Sequence, residues 1–322
     1  MRTILPISLA VLAAAALCVV VSLVTVAAAP EEADEGIAAR YPGDKGIEKD
    51  ADVVFSDDFE GADFSRWGEN QRGAATVTRE TQNVHSGKQA VEMAAVIPGS
   101  PGGGLIKWFR PGLDRMHARF YVKFPKDANY VHHFVHIVGG RQKWSGFGKA
   151  GLRPNGGDFF TTGIEPDGKW GRVPPPGVWH FYTYWPDMKA SRDGKFWGND
   201  FSPERPIPVA KYRWVCVEFM VKCNSAPDRK DGEQAFWIDG KLAGRFGGLR
   251  WRTTDELKIN AFWLLYYLTP DALRRSRSER REGRFPVWFD AVVCATRYIG
   301  PMTEKGDSSS KPDGRFTPPP GY

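Results

Sequence analysis

Strict alternation runs through residues 116–124, MHARFYVKF. Met116, Ala118, Phe120, Val122 and Phe124 are apolar; His117, Arg119, Tyr121 and Lys123 are polar. A period of two places the two sets on opposite faces of a strand, the apolar face against a core. The polar face lines up an imidazole, a guanidinium, a phenol and an ammonium, a set suited to an anionic or polyhydroxylated ligand. The pattern recurs at 179–185, where Trp179, Phe181, Thr183 and Trp185 oppose His180, Tyr182 and Tyr184. In 130–138 the shared face is His132, Phe134, His136 and Val138; in 257–267 it is Lys258, Asn260, Phe262, Leu264 and Tyr266. Further strands are expected at 74–81, 89–96, 104–109, 159–164, 214–223, 235–238 and 287–295, separated by turn residues, with a hairpin at Asp239-Gly240-Lys241. Helical periodicity is confined to 270–284, which has Pro at its start and Gly near its end. The expected fold is all-β, a two-sheet antiparallel sandwich. Each polar row is then either a solvated outer face or part of one shared concave binding face.

The ends of the chain differ from this middle. Arg2 and the apolar run 4–29, with small residues at 26–29, read as an export signal or an N-terminal membrane anchor. Both readings put the rest of the protein outside the cytoplasm. Residues 30–51 read as a linker, 52–302 as the domain, and 303–322, rich in Ser, Pro and Gly, as a disordered tail. Cys216, Cys223 and Cys294 allow one disulfide at most, or three buried thiols. The net charge of +6 over 322 residues suits an anionic partner. Export disfavours nucleic acid, contact with a membrane is expected only through the N-terminal segment, and a monomer is expected.

Candidate chemistry is sparse in motifs. The chain has no CxxC, GxSxG, P-loop or HExxH. His132, His133 and His136 invite a metal, but on a regular strand 132 and 136 lie roughly 13 Å apart and 133 faces the other way. Zinc there needs a helix or a bend. Asp58, Glu60 and Asp290, with Asp57, invite a structural calcium joining the two ends of the domain; the alternative is ordinary turn caps. No other cofactor is expected. Six arginines between 274 and 284 form a basic patch.

The segments VVFSDDFEG, HSGKQAVEM, RFYVKFP, WHFYTYWPDM, DGEQAFWIDGKLAGRF and VWFDAVVCATRYIGP resemble secreted concanavalin-like jelly rolls. Within that group the resemblance points to polysaccharide lyases of the alginate, glucuronan and heparin type. It implies a jelly roll with a concave groove that cleaves uronic-acid polymers by β-elimination. By position, it makes Arg119 the cation that neutralises the uronate carboxylate, His136 or His132 the base, and Tyr184 or Tyr182 the acid, or the base as well, since one phenol can serve both steps. His117, Tyr121, Lys123, His132, His180 and Asn260, with Lys149, Arg153 and Asn155 from a Gly-rich loop, would contact the glycan. The paired-Glu motif ExDxxE of laminarinase-type hydrolases is missing; Glu165-Pro166-Asp167 is the nearest approach. A non-catalytic carbohydrate-binding or adhesion domain, and an envelope protein held by its N-terminus, are the competing readings.

Overall fold

The computed structural model describes residues 35–61 and 63–304. The apolar segment 1–29 and the tail beyond 304 lie outside the described residues. Fifteen strands follow in order: β1 (Val53–Asp57), β2 (Glu69–Asn70), β3 (Ala75–Thr78), β4 (Ala90–Ile97), β5 (Gly102–Leu113), β6 (Arg115–Lys123), β7 (Val135–Gly140) and β8 (Phe159–Asp167). Then come β9 (Val178–Tyr184), β10 (Asn199–Phe201), β11 (Trp214–Lys222), β12 (Gly232–Ile238), β13 (Lys241–Leu249), β14 (Ile259–Tyr267) and β15 (Gly283–Ala295). They form two antiparallel sheets, a β-sandwich jelly roll. The first runs β13-β12-β11-β6-β15-β4-β3, with β1 also on β15; the second runs β10-β9-β8-β7-β14-β5-β2. The inner faces meet in one aromatic core, where Phe120, Phe134 and Phe289 lie 5.4–6.2 Å apart by ring centroid. The only α-helix among the described residues, α1 (Pro270–Arg275), is far shorter than the periodicity suggests. Thr269 caps it and Pro270 starts it, but Arg277 adopts a positive φ of 55° and ends the turn.

The apolar half of 116–124 faces the core as expected. Its polar half, however, lies on the outward face of the first sheet and is covered. Residues 37–49, expected as a linker, form three 3-10 turns whose Ile37, Ala38 and Ile47 are buried against Val293, Ala295 and Ile299. Each polar group of β6 holds a covering segment. His117 Nδ1 lies 2.9 Å from the Glu218 carboxylate, which accepts the Ile299 and Gly300 N–H groups at 2.9 and 2.8 Å. Arg119, fully buried, forms a two-pronged ion pair with Asp44 and donates to the Ala291 carbonyl at 3.0 Å. The Tyr121 hydroxyl accepts the Met302 N–H at 2.8 Å, and Lys123 donates to the Gln82 carbonyl and to Asn83. His85 stacks on Tyr121 at 3.7 Å. Cys216, Cys223 and Cys294 are buried free thiols.

The Arg119–Asp44 pair is therefore a clamp. Removing one partner strands a buried charge, at a cost of about 3 kcal/mol. Arg119→Ala and Asp44→Ala should each lower the unfolding free energy from denaturant titration by that amount, and the double variant should lose much less than the sum. Full additivity would show that the two side chains are not coupled.

His85 gives the clamp a pH dependence. Burial, then the nearby Arg119, pushes its pKa from 6.5 down to about 4, while Asp44 pulls it upward. The unfolded chain takes up a proton that the folded chain refuses, so stability falls as pH drops from 6.5 to 4. Asp290, which accepts the His85 backbone N–H, is pushed by burial up to about 7 and acts with the opposite sign, favouring the fold as pH falls from 7 towards 3.8. His85→Gln should flatten the loss of Tm between pH 6.5 and 4; an unchanged slope would assign that loss to other groups.

Candidate functional site

With the polar row of β6 covered, the ring-rich surface that remains is the outward face of the second sheet. β9 alternates without interruption, so Trp179 and Phe181 enter the core while His180, Tyr182 and Tyr184 face outward. One row crosses the sheet through paired residues: Asp200 on β10, Tyr182 on β9, Gly163 on β8, His136 on β7, Trp263 on β14 and Ile106 on β5. His133 precedes β7 and is held to Tyr267 only by an isolated bridge. The chain bends there. Phe134 and Val135 are both in the core, so His132, Phe134 and His136 do not share a face. A bulge between Ile259 and Ala261 likewise removes Asn260 from the row of Phe262, Leu264 and Tyr266.

The bend brings two imidazoles onto one carboxylate. Glu165 Oε1 lies 3.0 Å from His133 Nδ1 and 3.0 Å from His136 Nε2. His136 Nδ1 lies 3.1 Å from Thr161 Oγ1, whose hydroxyl donates to the Ile137 carbonyl at 3.4 Å. Burial alone would raise the pKa of Glu165, but the two imidazoles outweigh it and hold the carboxyl well below its usual range. Burial lowers that of His136, with Glu165 opposing. His132 bonds Thr269 Oγ1 at 3.0 Å, stacks on His133 at 4.4 Å, and is pushed by burial down to about 4. The half-exposed Tyr182 ring lies 5.4 Å from His133; burial and then the hydrogen-bonded Tyr184 raise its pKa, so it keeps its proton at neutral pH.

An aromatic shelf extends from this centre. Trp263 lies 5.8 Å from His136, Phe147 4.9 Å from Trp263, and the exposed Trp144 5.1 Å from Phe147 and from Trp108. Lys143 sits over Trp108 at 5.4 Å. A depression of about 250 Å3 beside it is lined by Trp108, Arg110, Arg141, Lys143 and Asn260. On the far side, His180 lies 3.5 Å from Asp200, and Lys169 pairs with Asp167 at 2.6 Å.

The candidate residues thus divide. His132, His136, Tyr182, Tyr184 and His180 belong to the second sheet's outward face, with Asn260 at its edge. Arg119, His117, Tyr121 and Lys123 belong to the other sheet, under residues 37–49, 82–83 and 299–302, so they do not join that surface. Lys149 and Arg153 lie beside it, over the rings of Phe159 and Phe196 at 5.6 Å, and Arg153 donates to the Pro186 carbonyl. Asn155 turns its side chain back to the Gly157 N–H. Asp58, Glu60 and Asp290 accept backbone N–H groups from Glu60, from Lys88 and Gln89, and from His85, Ser86 and Ala291. Those carboxylates hold turns. Glu165 and the Trp144 shelf were not singled out in the sequence as parts of a site, and His133 entered only in a metal reading in which it faced away from His132 and His136.

Gly163 makes the centre possible. A Cβ at this position would stand 2.6 Å from His136 Nε2. Gly163→Ala should displace the imidazole from Glu165 and destabilise the protein by about 1–3 kcal/mol. Imidazole NMR resonances should report the displacement; an unmoved His136 signal would show that the row tolerates the methyl group.

A scan against protein-family models finds no match, and a search of curated proteins finds no relative. Among solved structures, the fold resembles the alginate lyase vAL-1 from Chlorella virus, with TM-score 0.50 and 16% identity, covering 69% of this chain and 89% of that one. It also resembles the PL-14 alginate lyase from Aplysia kurodai, with TM-score 0.51 and 14% identity, covering 70% and 88%. At these identities the likeness is one of fold: a concanavalin-like jelly roll of the kind that polysaccharide lyases share.

Proposed function

We propose that the protein is an exported polysaccharide-active protein that cleaves an acidic, uronic-acid glycan by β-elimination on the outward face of its second sheet. The observation that carries this reading is the meeting of Tyr182 and Tyr184 with the His132–His133–His136 group on one half-exposed surface. β-Elimination needs a base for the proton on C5 and an acid for the departing glycosidic oxygen. Tyr182, protonated and half-exposed, suits the acid. An imidazole of the histidine group suits the base. Arg119 has no part in neutralising the uronate carboxylate, because it lies in the other sheet. Lys169 stands beside this surface, and the charge of Arg275 is felt at His132.

The shelf of Trp108, Trp144, Phe147 and Trp263 favours a second reading, a non-catalytic glycan-binding domain. Rings of this kind cover the C–H faces of sugars without doing chemistry. The two readings separate in one experiment. Purified protein is offered alginate, glucuronan, pectate and glycosaminoglycans, and the ultraviolet absorbance of an unsaturated uronate product is followed. The lyase reading expects a signal on at least one polymer and a fall of about 10²–10⁴ in kcat for Tyr182→Phe with retained binding. Binding without product on every polymer would leave the binding domain. Activity unaltered in both Tyr182→Phe and Tyr184→Phe would remove the tyrosines from the chemistry.

A further inference from the structure

We infer that His133, His136 and Glu165 form a binding site for one divalent transition-metal ion of the zinc class. The inference deepens the proposed function and rests on it for the role of the ion, though not for the site. One ring nitrogen from each of His133 and His136 and a Glu165 carboxylate oxygen all lie within 4.8 Å of one another; His133 Nδ1 and His136 Nε2 are each 3.0 Å from Glu165 Oε1. Two imidazoles and one carboxylate are the donor set of open zinc sites, which leave a further position for water or substrate. The bend before β7 removes the geometric objection to a histidine metal site, and Glu165 replaces His132 as the third donor.

The surroundings suit ligation. A ligating imidazole usually donates its other N–H to a neighbouring acceptor, which fixes its tautomer and orientation. Thr161 supplies that acceptor. With the Thr161 proton directed to the Ile137 carbonyl, its oxygen accepts from His136 Nδ1–H. His136 Nε2 then presents a lone pair towards Glu165 Oε1, 3.0 Å away, and a cation between the two satisfies both. His133 keeps the site accessible: its side chain is 30% exposed, and the half-exposed Tyr182 is its neighbour. An ion held here would neutralise a uronate carboxylate laid across the row, the role for which this face lacks Arg119. It would leave His132 for proton transfer.

The test uses the full chain, stripped with chelator and titrated with Zn2+, and separately with Co2+ as a spectroscopic probe. One equivalent of Zn2+ should bind, and Co2+ should give the visible absorption of a low-coordinate N/O site. Thr161→Val should weaken binding by about 10–100-fold. His133→Ala, at a part-exposed position, and Glu165→Gln should abolish the Co2+ spectrum. No retained Zn2+, or a Co2+ spectrum unchanged in both variants, would overturn the site; the latter would move the metal elsewhere, such as the Asp167, His180 and Asp200 group. Zn2+ binding without eliminase activity on any polymer sustains the site and removes the lyase reading. Eliminase activity in a protein that binds no metal does the reverse.

Discussion

The buried ion pair between Arg119 and Asp44 is the constraint on which the arrangement of the molecule depends. A guanidinium in the middle of a sheet, with none of its surface in water, requires a carboxylate and a carbonyl around it. Asp44 comes from a part of the chain with no strand of its own, so that part must lie against the sheet. The neighbours on β6 repeat the requirement. His117 through Glu218 fixes residues 299 and 300, Tyr121 fixes Met302, and Lys123 fixes the loop at Gln82 and Asn83. Polar side chains, rather than an apolar stripe, thus fasten both ends of the domain to its first sheet. The apolar contribution is small and local, with Ile37 and Ile47 on Ile299 and Val293.

This closure decides where a ligand can bind. On the outward face of the first sheet the polar side chains of β6 are engaged by their own chain, and an anion offered to Arg119 would have to displace Asp44. The outward face of the second sheet is only partly satisfied. His133, Tyr182, Trp263 and Tyr267 are half-buried there, with rings exposed on one side. Within β8, Gly163 and Glu165 stand two apart on the same face. The first leaves space for the His136 ring and the second receives its nitrogen.

What could be read from the sequence follows the same physics. The faces of β9 were legible because its alternation is unbroken from Trp179 to Tyr184. The alternation of β6 was equally legible, but a period of two says only that two faces differ. It does not say whether the polar one meets water, a ligand or another part of the chain. The ends that cover it were opaque, because 3-10 turns with isolated Ile37 and Ile47 carry no repeating pattern. His133 was hidden by the bend at Phe134, where two successive residues enter the core, and Asn260 by the bulge in β14. Glu165 stood in view beside Pro166 and Asp167, but only as a failed hydrolase motif. The useful signal was the small residue two positions before it, since a glycine on the outward face of a central strand marks a place where a neighbouring ring lies flat over the backbone.

The charge balance of this face limits its chemistry further. Glu165 is held ionised by its histidines, so the centre of the row already carries a carboxylate. A uronate brought within about 5 Å meets a repulsion of roughly 3 kcal/mol at an effective dielectric of 20. Binding an acidic glycan here therefore requires positive charge at the same place. Protons on the two imidazoles can supply it, but an imidazolium has no lone pair with which to take the C5 proton. Lys169 is already engaged by Asp167, and Arg275 sits beyond His132. A cation ligated by the same three side chains meets the requirement without consuming the base, because its charge is shared at the ligands while the His132 ring, bonded to Thr269, is not one of them. The removal of Arg119 to the opposite sheet is what makes the source of that charge the central question for this surface.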